Sequence, residues 1–139
     1  MATTSRRAPA HPDPAVQPSP PDWLPQTESA LQELLELPAN WDSYGARPIR
    51  AEVVAEAVDL LHKIVQPGTP QPAVVPTARG GLQLEWHIGG IDLEIEFEQP
   101  GRFHVSYEEP IEDVELEADL TLTDHPRLTE LIARLSPRQ

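Results

Sequence analysis

The sequence predicts an α+β domain, an antiparallel β-meander of three to five strands with two or three helices packed on one face. Three observations carry this prediction. Apolar residues recur at helical spacing from Leu31 to Val65, they alternate with period two from Leu82 to Phe97, and a final helical stripe runs from Leu128 to Leu135. The chain of 139 residues suits a single core of this kind, placed at 23–139. Before it, residues 1–22 interleave Pro9, Pro12, Pro14, Pro18, Pro20 and Pro21 with Ala, Ser and Gln. Such a composition buries too little apolar surface to offset chain entropy, so a disordered Pro-rich arm is expected there.

The elements follow in order. Thr27 is a candidate cap for a helix carrying Leu31, Leu34 and Leu35, which Pro38 ends because it cannot continue the hydrogen-bond ladder. Pro, Asn, Asp and Gly make residues 38–49 a loop, and Pro48 suits the first turn of the next helix. That helix runs to about Val65 with a wide apolar face (Val53, Val54, Ala57, Val58, Leu60, Leu61, Ile64), leaving Glu52, Glu56, Asp59 and Lys63 for solvent. Residues 66–76 hold four prolines and form a connector, with 73–77 a candidate edge strand.

Two alternating runs then flank Gly89-Gly90, a two-residue turn suited to positive φ. This register sets Trp86 opposite Leu93, Glu85 opposite Glu94 and His87 opposite Asp92. A three-residue turn at 99–101 sets Glu98 opposite Arg102, Glu96 opposite His104 and Ile95 opposite Val105. Val114, Leu116, Ala118, Leu120 and Leu122 extend the sheet after a break at Pro110. Asp124 and Pro126 start the last helix.

Charge narrows the functional classes. Ten Lys and Arg face 23 Asp and Glu, a net charge of -13, which repels phosphate and anionic lipid, so direct nucleic acid binding is disfavoured. No apolar run approaches the roughly 20 residues of a membrane span. The absence of cysteine removes disulfides and thiolate metal sites, and a cytoplasmic location is the expectation. No Gly-x-Ser-x-Gly elbow or phosphate loop exists, so the chain reads as no enzyme, with no cofactor.

The acids concentrate: twelve carboxylates between Glu85 and Asp119 face one guanidinium, Arg102. On the strands they occupy the polar face. Glu85, His87, Asp92, Glu94 and Glu96 are therefore candidates for docking a basic protein partner, against the plainer alternative of a solvated face. The same residues with His104 supply carboxylate and imidazole donors for a metal. The loop residues Trp41, Asp42, Tyr44 and Arg47 are either a corner anchor, with Asp42 tying down amides and the rings buried, or a second contact patch.

Asn40-Trp41-Asp42-x-Tyr44-Gly45-Ala46-x-Pro48, Gly80-Gly81-Leu82-x-Leu84-Glu85-Trp86 and Leu93-Glu94-Ile95-Glu96 together resemble a group of small uncharacterised bacterial proteins with this layout, over roughly residues 31–97. The resemblance implies an accessory or antitoxin-type protein rather than an enzyme. The leading expectation is thus an acidic interaction module of antitoxin, immunity or phage-defence accessory type. Its alternatives are a metal-binding domain or metal-assisted hydrolase, and a structural homodimer or larger homo-oligomer paired through a sheet edge.

Overall fold

The period-two runs form five antiparallel strands joined in chain order, so each strand lies beside its sequence neighbour. The computed structural model describes residues 19–136, and the arm expected at 1–22 lies mostly outside them. The strands are β1 (Ala73–Pro76), β2 (Leu82–Ile88), β3 (Ile91–Gln99), β4 (Arg102–Glu109) and β5 (Val114–Leu120). Three helices, α1 (Leu24–Glu33), α2 (Ala51–Ile64) and α3 (His125–Ala133), complete the α+β fold.

The β2–β3 register is the expected one: Trp86 faces Leu93, Glu85 faces Glu94, and His87 faces Asp92. Gly89 and Gly90 adopt φ of 60° and 79°, the left-handed pair that a two-residue hairpin turn needs. The next turn differs. Gln99, not Glu98, faces Arg102, while Glu96 still faces His104, so β3 carries an irregularity between Glu96 and Gln99. The extra residue sits inside the strand as a bulge, and the turn shortens to Pro100-Gly101, where Gly101 takes φ of 98°. Phe97 stays buried through the bulge, its ring centroid 5.2 Å from that of Phe103.

Leu82, Leu84, Trp86, Leu93, Ile95, Phe97, Phe103, Val105 and Tyr107 make the buried face of the sheet. Against it α2 lays Val53, Val54, Ala57, Leu60, Leu61 and Ile64, all buried. From α1 come Leu24 and Leu31, and from the chain's end Leu128, Ile132 and Leu135. One apolar core therefore separates the helices from the opposite face of the sheet.

Helix boundaries moved from their predicted places. The first helix starts at Leu24 with Pro25 in its first turn, and Thr27 lies inside it, buried, its hydroxyl accepting from Gln71 Nε2 at 3.1 Å. Pro21, assigned by composition to the arm, is buried too, and its carbonyl accepts from the Leu24 amide at 3.0 Å. The second helix starts at Ala51, so Pro48 precedes it rather than opening it. Glu56 is half-buried instead of solvent-facing, and its carboxylate accepts from the Gly101 amide at 3.1 Å, tying α2 to the β3–β4 turn. Asp124 precedes α3 but caps a 3₁₀ turn, Leu122–Asp124, by accepting from the Thr121 amide at 2.9 Å.

The Pro-rich connector is held by two indoles. Trp23 Nε1 donates to the Thr69 carbonyl and Trp86 Nε1 to the Pro70 carbonyl, both at 2.7 Å. Carbonyls without intrachain ladder partners are thereby satisfied inside the fold.

Candidate acidic interface

With every helix on the apolar side, the polar face of the sheet is left uncovered among the described residues. Strand register arranges it in three rows. His87, Asp92, Glu108 and Glu115 form one; Glu85, Glu94, Ser106 and Glu117 the second; Gln83, Glu96, His104 and Asp119 the third. Alternation places all of them on one side, because β-strand side chains alternate with period two.

Like charges meet directly at Glu85–Glu94, Asp92–Glu108 and Glu108–Glu115, an arrangement that costs a few tenths of a kcal/mol per pair. Two histidines offset part of this. His87 Nδ1 lies 2.7 Å from Asp92 and Nε2 3.3 Å from Glu85. His104 Nδ1 and Nε2 each lie 2.9 Å from a carboxylate, Asp119 and Glu117 respectively. Each imidazole bridges two acids with both ring nitrogens. The hydrogen bonds from Asp92 and then Glu85 hold His87 above the ordinary histidine pKa, and those from Asp119 and Glu117 do the same for His104. His104 in turn lowers Asp119.

The face is not flat. One depression of about 340 Å³ is lined by His87, Asp92, Glu94, Glu108, Glu115 and Glu117, with Tyr107 and Leu116 also on its wall. A smaller one of about 170 Å³ holds Glu96, Glu98, Arg102, His104 and Asp119. Near the β2–β3 turn, Ile88 and Ile111 are exposed, Ile111 at 86%, but Ile88 alternates onto the apolar side of the sheet. A carboxylate-lined groove with Tyr107 and Leu116 on its wall accepts an ammonium or guanidinium whose methylene stem needs cover.

Glu85, His87 and Glu94 also place one donor atom each within 4.8 Å of one another. His87 Nδ1 on Asp92 leaves Nε2 directed at this cluster, and a carboxylate behind the imidazole is the support a metal-ligating histidine commonly has. Glu96 and His104, expected to join such a set, stand in the neighbouring row and do not.

The loop residues sit elsewhere. Asp42 Oδ1 accepts from the Tyr44 amide at 2.8 Å and the Ala46 amide at 3.0 Å, and Asn40 Oδ1 accepts from Gly45 at 2.7 Å. Asn40, Ser43 and Gly45 take positive φ to close this turn. Asp42 is thus an anchor, as is Trp41, whose Nε1 donates to the Arg47 carbonyl at 3.1 Å. Tyr44 departs from the anchoring expectation, since it is 92% exposed at the loop tip. Backbone bonds Arg47 N to Ala78 O and Arg50 N to Gly80 O dock the loop on the β1–β2 turn, and Arg50 reaches the Glu98 carbonyl. This is the far end of β2, about 20 Å from His87 at 3.3 Å per residue. The acids therefore converge, and Trp41, Asp42, Tyr44 and Arg47 form a separate patch.

Three features escaped sequence reasoning. These are the histidine clamps, in which each imidazole bridges two acids, a Tyr107–Glu109–Arg134 cluster with contacts of 2.6 to 3.0 Å, and the Glu56 tie, the last two reaching across 25 or more positions to Arg134 and Gly101. The facing of His87 and Asp92 was legible from the Gly89-Gly90 turn, and that of His104 and Asp119 was recoverable given the register of β5 on β4. His125 at the start of α3 is half-buried, with Nδ1 enclosed and lacking a hydrogen-bond partner among the described residues.

Comparison with protein-family models, with curated proteins and with solved structures returned no match. No described helix is long and apolar enough to cross a membrane.

Proposed function

We propose that the protein is an interaction module that holds a basic protein partner on its acidic sheet face, neutralising or regulating it in the manner of an antitoxin, immunity or phage-defence accessory subunit. The observation that carries this reading is the uncovered face itself: eight carboxylates in three register-locked rows, opposite the face that packs on the helices. A face that serves only solubility does not need directly opposed acids, whereas a cationic partner relieves their repulsion on binding. The 340 Å³ groove gives that partner's Lys or Arg a seat, with Tyr107 and Leu116 on its wall.

The test is a triple reversal, Glu94→Lys, Glu108→Lys and Glu115→Lys, in an affinity capture from the native host at low and high salt. Capture of a basic protein that weakens with salt and is lost in the reversed variant, with circular dichroism unchanged, supports the reading. Equal capture by both chains refutes it.

The convergence of Glu85, His87 and Glu94, backed by Asp92, favours a second reading in which the face takes a divalent cation. Binding only the folded state must raise the melting temperature. Unchanged melts with Zn, Mn, Mg and Ca, measured against His87→Gln, dismiss it.

A further inference from the structure

Both ends of the sheet are open among the described residues, and they are not equivalent. At one end β1 has four residues, finishes in Pro76 and carries no charge. At the other, β5 has seven residues and no Pro, and its only charges are the acids Glu115, Glu117 and Asp119, which block pairing with an acidic strand but not with a basic one. It pairs with β4 alone. Its outer edge therefore presents unpaired backbone N–H and C=O groups over about 23 Å. Glu115, Glu117 and Asp119 are exposed on the polar face, and Val114, Leu116 and Ala118 are half-buried on the other.

We propose that β5 receives an extended segment of a basic partner as a sixth strand, with Lys or Arg opposite Glu115, Glu117 and Asp119 and aliphatic side chains opposite Leu116 and Ala118. This rests on the basic-partner reading above and specifies how that partner binds. Charge selects the occupant. A second copy pairing β5 to β5 would set acids of two chains against each other, since neighbouring strands share a face row by row. A cationic strand instead continues all three rows: His87–Asp92–Glu108–Glu115, Glu85–Glu94–Ser106–Glu117 and Gln83–Glu96–His104–Asp119 each gain a neutralising end. Backbone hydrogen bonds supply affinity, and alternate side chains supply specificity.

The probe is the capped heptapeptide Lys-Val-Lys-Val-Lys-Val-Lys, titrated against the full chain by calorimetry. Controls are a block-order peptide of the same composition and two backbone N-methylated forms, one at every Val and one at every Lys. In a strand, alternate N–H groups point to opposite sides, so only one N-methylated form loses the ladder to β5. The expected result is binding by the alternating peptide, at least about tenfold weaker for the block-order peptide and for one N-methylated form only. Glu115→Lys/Glu117→Lys/Asp119→Lys should lose the same peptide while keeping its circular dichroism. Binding that ignores backbone methylation and residue order overturns strand addition and leaves electrostatic docking standing. Absence of peptide binding also overturns strand addition, whereas the broader reading fails only if the groove reversal leaves partner capture intact.

Discussion

Gly81 is the residue at which the fold has least freedom. A Cβ there would lie 2.1 Å from the Phe97 carbonyl oxygen, where the β1–β2 turn passes against the bulged end of β3. Neither group is a flexible side chain, so Gly81→Ala should cost about 3 kcal/mol or more in urea unfolding. At Gly89 a Cβ would meet nothing within 4 Å, and φ is 60°, so Gly89→Asn should cost under about 1 kcal/mol. At Asp42, loss of the carboxylate strands the Tyr44 and Ala46 amides, and Asp42→Ala should lower stability by about 1 kcal/mol.

The histidine clamps belong to the same scale. Their folded pKa values lie above the ordinary 6.5, so the clamps contribute in full below pH 6.5 and are lost as pH rises through the raised values. The urea midpoint should therefore fall from pH 6 towards pH 8 more steeply in the natural chain than in His87→Gln/His104→Gln. Identical slopes would mean that the clamps contribute nothing to stability. Both rings are about half exposed, so the difference will be small.

Among the elements, the β4–β5 hairpin carries the sharpest internal conflict. Glu108 faces Glu115, and no described histidine bridges that pair as His104 bridges Glu117 and Asp119. Glu108→Gln should then stabilise the domain by a few tenths of a kcal/mol, read as a higher urea midpoint with unchanged slope. Sequence reasoning was strongest here. Alternation and turn chemistry located β2 to β5, and the Gly89-Gly90 turn placed every pair of the first hairpin. It misplaced one pair, Glu98 with Arg102, because a bulge inside β3 and a longer turn leave the same register beyond Glu96. Helix starts were less legible. Thr27 and Pro48 are good local start signals, but core packing of Leu24 and the docking of 47–50 on the β1–β2 turn moved both boundaries.

For the molecule as a whole, the net charge is -13, and the gathering of eight of the 23 carboxylates on one sheet face makes self-repulsion a property of the fold. Raising NaCl from about 0.02 to about 0.5 M at pH 8, where the histidine clamps contribute least, should raise the urea midpoint as that repulsion is screened. A falling midpoint would mean that the ion pairs outweigh the repulsion.

Local sequence alone determined the meander, its polar and apolar sides and the rows of acids, because strand alternation and a two-residue turn are short-range constraints that fix register without reference to distant residues. Only the tertiary structure decided the rest. That His104 closes on Asp119 and Glu117, that Glu56 holds the Gly101 turn, and that β5 is left as a long acidic edge all depend on residues brought together across 13 or more positions. Those contacts exist only once the common core has formed, since it is burial of the shared apolar face that sets the helices, the loop and the sheet edges in place.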